Sequence, residues 1–304
     1  MISRWAHITS RATSENVGAR EALAEALMAL SSTVHLGHEG IWIEVSRSVT
    51  LFGSEQALAH QALRIAELLE HQVTLAIADE PHTARILSRT RAEPILIVPT
   101  GRDAEALAGL ALVELGAEER AIEYLAKLGV RRTRELARLT PEAIRKRLGP
   151  DGEQLVRIAR AEPSALPERY VPPERPEVIR ELEPPVPPSE AVLFVVKSAL
   201  DELVTRLSGR AMAIEALQVS LHFEGDIQRA EELQLPRALR STAPLLAVLR
   251  ERLFKPPEEP EEEDEGAAVA RVTEIRAKLL RAVPAPTAQL SLLSRQELDT
   301  EELA

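Results

Sequence analysis

The chain has 304 residues, of which 45% are apolar and only 3% aromatic, enough for two or more compact units with aliphatic cores. It contains no cysteine, which excludes disulfides, thiolate catalysis and zinc-finger sites. No apolar run reaches the roughly 18 residues of a membrane span, and residues 1–18 lack the apolar core of a signal peptide.

The formal net charge of -11 is concentrated in two acidic patches. Seven acidic residues lie between residues 258 and 265, and four more lie between residues 297 and 302. Between residues 127 and 147 the balance reverses, with eight Lys or Arg residues against two Glu residues. Because the distribution of charge matters more than its sum, a nucleic-acid partner is not excluded.

The first 115 residues predict alternating helices and strands. The helices are expected over residues 19–30, 55–69 and 81–89, and the strands over residues 41–53, 73–79 and 94–99. Ser54 is suited to cap the second helix. This alternation favours an α/β or α+β layer.

Residues 116–162 have a wholly helical pattern, broken at Gly129. Thr140 followed by Pro141 is a typical helix start, and Gly149 followed by Pro150 is a typical stop.

Prolines crowd residues 163–176, which predict a semi-extended linker. Beyond it the elements follow the split, ferredoxin-like order β-α-β-β-α-β. They are expected over residues 178–182, 190–207, 217–223, 227–235, 244–253 and 269–275. The strict alternation of LQVSLHF indicates a half-buried strand. The acidic residues 256–266 predict a disordered loop, and residues 281–304 a flexible tail.

The segment LGVRRTRELARLTPEAIRKRLG is similar to a helix-hairpin-helix. In that motif a glycine turn presents backbone N–H groups and basic side chains to a DNA phosphate, without reading sequence. The candidate DNA-binding residues are Gly129, Val130, Arg131, Arg132, Thr133 and Arg134. The alternative is a solvated helical pair with ordinary surface arginines.

An apolar island, AQLSLLS, lies in the otherwise polar tail. Such an island has no core of its own to join, so a groove on a partner is a natural destination. It resembles the bacterial sliding-clamp-binding pentapeptide, in which a glutamine leads into a Leu-x-Leu-Phe-like end. The matching residues are Gln289, Leu290, Ser291, Leu292 and Leu293. The alternative is a short frayed helix packed on its own domain.

Two carboxylates, Glu39 and Glu44, accompany the first expected strand. Two-metal phosphoryl transfer needs several carboxylates that converge from separate segments. An odd separation along a strand points these two to opposite faces, so they do not form one metal site. No histidine pairing and no phosphate loop is present. The sequence therefore predicts no catalytic residue, metal or cofactor.

Taken in order, these segments resemble the Y-family DNA polymerases, and among them the non-catalytic ImuB proteins of the bacterial mutasome. HEGIWIEVSRSVTLFG resembles the second palm motif, which in active polymerases reads Ser-Ile-Asp-Glu-Ala-x-Leu-Asp-Val-Thr. Glu39 aligns with the metal-binding aspartate and Gly40 with the glutamate that follows it. ImuB proteins typically carry Asp-Gly there, where this chain has Glu39-Gly40. They continue into Leu-Phe-Gly, as Leu51, Phe52 and Gly53 do here. LAIADEPHTARILSR is similar to the palm region that follows, and the helix-hairpin-helix to the thumb.

The resemblance implies an α+β, multi-domain, polymerase-like fold. Its parts would be a partial palm (1–115), a helix-hairpin-helix thumb (116–162), a linker (163–176), a little-finger-like domain (177–280) and a tail (281–304). Active polymerases begin with a strand that bears another metal-binding aspartate, and no such segment precedes Trp5. The expectation is therefore a palm without its first strand.

The function implied by the resemblance is that of a non-catalytic adaptor in damage-induced mutagenesis and translesion synthesis, cytoplasmic and nucleoid-associated. Its expected partners are DNA phosphates, the bacterial sliding clamp, an error-prone C-family DNA polymerase and an ImuA-like, RecA-related protein. The rival hypotheses are an active Y-family polymerase, a DNA-binding module with no clamp link, and an interaction protein that never touches DNA.

Overall fold

The structure is a computed structural model that describes residues 3–10, 17–225, 227–253 and 270–285. The chain divides into two compact units, one formed by Met1–Arg20 and Leu30–Tyr170 and the other by Glu21–Ala29 and Val171–Ala304. Both units combine helices with a sheet, so the predicted α+β class is confirmed. No helix of the described ranges has the length and apolar character that a bilayer crossing requires.

The first unit contains a five-stranded sheet in the order β2-β3-β1-β4-β5. Its strands are β1 Trp5–Ser10, β2 Val34–Gly37, β3 Gly40–Glu44, β4 Val73–Ala78 and β5 Ile95–Ile97. Strand β1 pairs antiparallel with both β3 and β4, and β4 pairs parallel with β5. The expectation of a palm without its first strand stays a prediction. The central strand of this sheet is β1. It carries no carboxylate.

Helices precede, separate and follow these strands along the chain, and the first of them belongs mostly to the second unit. They are α1 Val17–Leu27, α2 Val49–Phe52, α3 Glu55–Leu68, α4 Pro81–Thr90, α5 Asp103–Leu107, a 3-10 turn Leu112–Leu115, α6 Glu119–Lys127, α7 Thr133–Leu136 and α8 Pro141–Ala159. The predicted cap of α3 is confirmed, since Ser54 Oγ accepts the N–H of Ala57 at 3.1 Å. One hydrophobic core extends from Ala76 to Ala159, so residues on both sides of position 115 pack together.

The strand expected over residues 41–53 ends at Glu44. The carboxylate of Glu44 accepts the backbone N–H of Ser46 at 3.0 Å, and Val45 O accepts the N–H groups of Ser48 and Val49, which starts a helical turn. Residues Val49–Phe52 then form the short helix α2, so the strand prediction is wrong for this stretch.

The proline-rich segment is not a free linker along its whole length. Residues 161–170 belong to the first unit: Ala161 forms a turn after α8 with a φ of +53°, and the backbone N–H of Tyr170 donates to Val34 O at 2.8 Å. The backbone N–H of Ser164 donates to Glu80 at 2.7 Å. Burial raises the pKa of Glu80, and these hydrogen bonds from Ser164 oppose that shift. We call residues 161–170 the strap.

The second unit contains a four-stranded antiparallel sheet in the order β6-β9-β7-β8. Its elements are β6 Glu177–Val186, α9 Glu190–Gly209, β7 Met212–Phe223, β8 Ile227–Leu239, α10 Thr242–Leu253 and β9 Val272–Pro284. The predicted order β-α-β-β-α-β is confirmed. The tail was expected from residue 281, but β9 continues to Pro284, so that boundary is wrong. The acidic residues 256–266 lie outside the described residues.

A buried ion pair joins α1 to α9 inside the second unit. Arg206 Nη2 lies 2.6 Å from Glu25 Oε1, and the two side chains are 4% and 0% exposed. A Cβ on Gly209 would lie 2.1 Å from Glu25 O, so the two helix backbones touch at a glycine. Buried charges in such a contact must remain paired, because an isolated one has no water to solvate it.

We predict that Arg206→Met destabilises the second unit by up to about 3–5 kcal/mol, because buried Glu25 loses its 2.6 Å ion pair and the remaining cation, Arg210, lies 3.5 Å away. Urea unfolding followed by circular dichroism measures the change. The matched control, Arg250→Met, removes an exposed pair with Glu190 and should change stability by less than about 1 kcal/mol. Equal effects of the two substitutions would contradict the prediction.

Candidate nucleic-acid interface

Glu39, which the sequence resemblance aligns with a polymerase metal ligand, is paired with two arginines. Glu39 lies in the turn between β2 and β3, and its two oxygens pair with Arg85 and Arg89 of α4, one oxygen to each guanidinium. Glu44 lies at the other end of β3 and accepts the N–H of Ser46. The structure therefore does not bring these two carboxylates together, in agreement with the sequence.

The position that follows Glu39 accepts only glycine. Gly40 has a φ of +145°, and a Cβ built there would lie 2.3 Å from Ile8 O and 2.7 Å from the ring of His7. L side chains rarely adopt this conformation, and the space for one is already filled by strand β1. A glutamate cannot occupy this position without moving the central strand.

Strand β1 supplies a buried imidazole at this point. His7 is fully buried, and its Nδ1 lies 2.7 Å from Ser88 Oγ and 3.1 Å from Thr9 Oγ1. Burial, reinforced by the positive charge of Arg85, holds the pKa of His7 well below its ordinary value. The ring is therefore neutral and acts as a packing group against Trp42, with ring centroids 4.4 Å apart.

These residues do not fit a magnesium site of the polymerase kind. Within the described ranges, no three His, Asp or Glu side chains are grouped so that they could hold a metal ion. The donor set at the palm position is one carboxylate, and it already neutralises two guanidinium groups. Two-metal chemistry requires several converging carboxylates, which this position does not supply.

The predicted helix-hairpin-helix turn lies between α6 and α7. Gly129 has a φ of +80°, Val130 and Thr133 are buried, and the Thr133 hydroxyl donates to Leu110 O at 3.0 Å. Arg131, Arg132 and Arg134 are exposed. The Arg132 guanidinium donates to Gly109 O at 3.1 Å, which leaves Arg131 and Arg134 as the side chains best placed to meet a phosphate.

The backbone of this turn donates inside the protein. Residues 131 and 132 give their N–H groups to the Glu135 carboxylate at 2.7 and 3.0 Å. The N–H groups of residues 129, 130, 133 and 134 go to carbonyl oxygens of the first unit. The two hydrogen bonds from the backbone of residues 131 and 132 hold the pKa of Glu135 below its ordinary value. The backbone N–H groups of this turn thus already have acceptors within the protein, and their contact with DNA stays a prediction.

Two other glycine turns face a cleft that the sequence did not single out. Gly116 precedes α6 with a φ of +86°, and Gly149 interrupts α8 with a φ of +74°. The predicted stop at Gly149 is thus a kink, after which α8 continues to Ala159. The signal in the sequence is a repeated Leu-Gly pair, present at residues 115–116, 128–129 and 148–149.

The cleft beside these turns has a volume of about 660 Å³. Its lining includes Arg85, Arg120 and Arg147, together with Glu39. Apolar side chains, among them Leu155, form the rest of its wall. The cleft therefore joins the palm-like carboxylate to the surface of the helical region.

The second unit has an exposed sheet surface on which two arginines of β9 are paired with carboxylates. Along β9, Arg276 and Lys278 alternate with the buried residues Ile275 and Ala277. Arg276 pairs with Glu274, and Arg281 pairs with Glu215 at 2.7 Å. A face on which carboxylates neutralise arginines attracts phosphates weakly. The candidate clamp-binding residues Gln289–Leu293 lie outside the described residues.

Comparisons with known proteins give structural likenesses of low sequence identity. No protein-family model matches the chain, and no curated protein sequence matches it. A DinB-family error-prone DNA polymerase from Sulfolobus solfataricus is 15% identical with a TM-score of 0.43, over 94% of this chain and 100% of that one. DinB from the same organism is 15% identical with a TM-score of 0.40, over 88% and 77%. An insertion ternary complex of Dbh DNA polymerase is 16% identical with a TM-score of 0.41, over 86% and 75%.

We predict that Gly40→Ala destabilises the first unit by more than about 3 kcal/mol, because it combines a strained backbone with a clash against β1. Thermal and urea unfolding measure the loss. Gly53→Ala is the matched control, since Gly53 also has a positive φ of +83° but its Cβ would meet nothing within 4 Å. It should cost about 1–2 kcal/mol. If Gly40→Ala costs no more than this control, the close approach is not a constraint.

Proposed function

We propose that this protein is a non-catalytic adaptor in DNA-damage-induced mutagenesis and translesion synthesis. It tethers an error-prone C-family polymerase to the sliding clamp and to DNA, and it works with an ImuA-like, RecA-related protein. The role and these partners come from the resemblance of the palm-like, thumb-like and tail segments to ImuB proteins.

The observation that carries the proposal is the state of the palm-like position. Glu39 is held by Arg85 and Arg89, and Gly40 has no room for a side chain. Strand β1 carries no carboxylate, and its buried His7 is neutral. A carboxylate that is neutralised by two arginines of α4 supports a scaffold role.

The proposed DNA contact is electrostatic and independent of sequence. Arg131 and Arg134 are exposed in the thumb-like hairpin, and Glu135 reduces the positive charge beside them. The paired cations of β9 add little attraction. Such a surface binds duplex weakly and releases it as salt rises. Weak DNA contact suits a protein whose residence on DNA depends on a clamp.

The main alternative is an active Y-family translesion polymerase. It requires magnesium-dependent primer extension, for which the palm-like position offers one arginine-paired carboxylate. The second alternative is a DNA-binding module with no clamp link. It differs from the adaptor only in the tail, so clamp binding separates the two.

For the tail, we predict that replacing Gln289, Leu290 and Leu293 together by alanine reduces affinity for the purified sliding clamp by about 100-fold, because apolar anchors carry most of the energy of a peptide in a groove. Surface plasmon resonance measures it. Leu298→Ala, in the same tail but outside the pentapeptide, is the control and should bind as wild type. Unchanged binding by the triple variant would leave the DNA-binding module as the better function.

For the thumb-like hairpin, we predict that Arg131→Gln with Arg134→Gln weakens duplex binding equally on unrelated sequences. The slope of log affinity against log salt should fall by about 2, or roughly 0.9 for each lost phosphate contact. Fluorescence anisotropy at several salt concentrations measures both effects. Glu135→Gln should strengthen binding at low salt, and Arg250→Gln in the second unit is the control. An unchanged slope would exclude this hairpin from the DNA contact.

A further inference from the structure

The cleft under the thumb-like helices contains a buried arginine with spare hydrogen-bonding capacity. The Arg85 side chain is only 13% exposed. Among the described residues its guanidinium bonds to Glu39 alone, and its Nε is buried without a partner. Burial lowers the pKa of Arg85. A buried cation held by one surface carboxylate is a group that a stronger anion can take over.

The arrangement around Glu39 has the form of an occupied anion site. Its two oxygens lie against two separate guanidinium groups, those of Arg85 and Arg89. The carboxylate itself is 40% exposed, so it can swing into solvent, whereas Arg85 cannot follow it. The internal carboxylate therefore occupies the place that an external anion would take.

The formal charges that line the cleft are balanced, so its attraction for an anion depends on the arginine pair that holds Glu39. Its lining carries Arg85, Arg120 and Arg147 against Glu39, Glu118 and Asp151. Glu118 precedes α6 and Asp151 follows the kink at Gly149, where carboxylates offset the positive ends of helices. Glu118 and Asp151 therefore reduce the attraction for an anion where they line the cleft. The arginine pair on Glu39 remains the group that can bind a negative charge.

We propose that this cleft binds a phosphomonoester of up to mononucleotide size, whose terminal phosphate displaces Glu39 from Arg85 and Arg89. A phosphomonoester carries a charge of about -1.5 to -2 and three terminal oxygens, so it can outcompete one carboxylate and engage both guanidinium groups. A backbone phosphodiester has less charge and two free oxygens. The volume of about 660 Å³ suits a small ligand and is too small for a duplex.

The apolar part of the wall gives the rest of such a ligand a surface. Leu148, Leu155 and Ile158 line the cleft on the α8 side. They offer contact to a base or another flat group without reading its edges. The site thus goes beyond the phosphodiester contact proposed for the hairpin, and it serves either a free nucleotide or the phosphorylated end of a strand.

The test is isothermal titration calorimetry of the full chain with 2′-deoxyadenosine 5′-monophosphate and with the unphosphorylated nucleoside. A second pair of probes is a single-stranded oligonucleotide with a 5′-phosphate or a 5′-hydroxyl. We expect no binding of the nucleoside, and tighter binding of the 5′-phosphorylated oligonucleotide than of its 5′-hydroxyl partner. Binding of the mononucleotide identifies a free ligand, and binding of the phosphorylated oligonucleotide alone identifies a strand end. The proposal is overturned if no phosphorylated probe binds or if the unphosphorylated partners bind equally.

Three variants connect the binding to the arginine pair. Arg85→Gln should weaken it by about tenfold or more, through loss of a charge-assisted hydrogen bond. Glu39→Gln should strengthen it several-fold, because the competing charge is removed. Arg250→Gln, at an exposed position of the second unit and outside the cleft, should bind as wild type. If Arg85→Gln does not fold, the affinity of Glu39→Gln alone decides the question. Binding by Glu39→Gln that is weaker than or equal to that of wild type overturns the proposal. Duplex affinity measured on the same samples reports separately on the hairpin.

Discussion

The close approach of the β2–β3 hairpin to the central strand is the constraint on which the palm-like region depends. At Gly40 the backbone lies so near Ile8 and His7 that no side chain fits. This contact places Glu39 at the tip of the hairpin, over α4, where Arg85 and Arg89 meet it. A position with no room for a side chain thus adjoins a carboxylate that is neutralised by guanidinium groups of the protein itself.

Local patterns predicted the elements whose burial depends on near neighbours in sequence. Alternation in β7 was sufficient, because Leu217, Val219 and Leu221 all face one core. The Ser54 cap was readable because its partner lies three residues away. The α+β class and the order of elements in the second unit follow from the same kind of signal.

The remainder depends on contacts between distant residues. Strand β1 was missed because WAHITS contains a histidine that becomes buried only when Ser88, 81 positions later, bonds to it. Helix α2 has β-branched residues that favour a strand, and it forms because the turn after Glu44 redirects the chain. The Glu135 carboxylate accepts the backbone N–H groups of residues 131 and 132. The spacing of residues in the glycine turn does not tell whether these groups point to Glu135 or away from the protein. Likewise, the cleft arises only when α4 and α8 are brought together.

The strap has a consequence for how the first unit avoids self-association. Strand β2 is at the outer edge of its sheet, and such an edge exposes N–H and C=O groups that invite another chain to pair with it. The Val34 carbonyl accepts the backbone N–H of Tyr170, and Arg169 forms an antiparallel bridge with His35. The strap therefore pairs with backbone groups at this edge of the sheet. Prolines within the strap cannot extend the ladder to a further strand. The folded limit of this unit therefore lies at Tyr170 rather than at the end of its last helix.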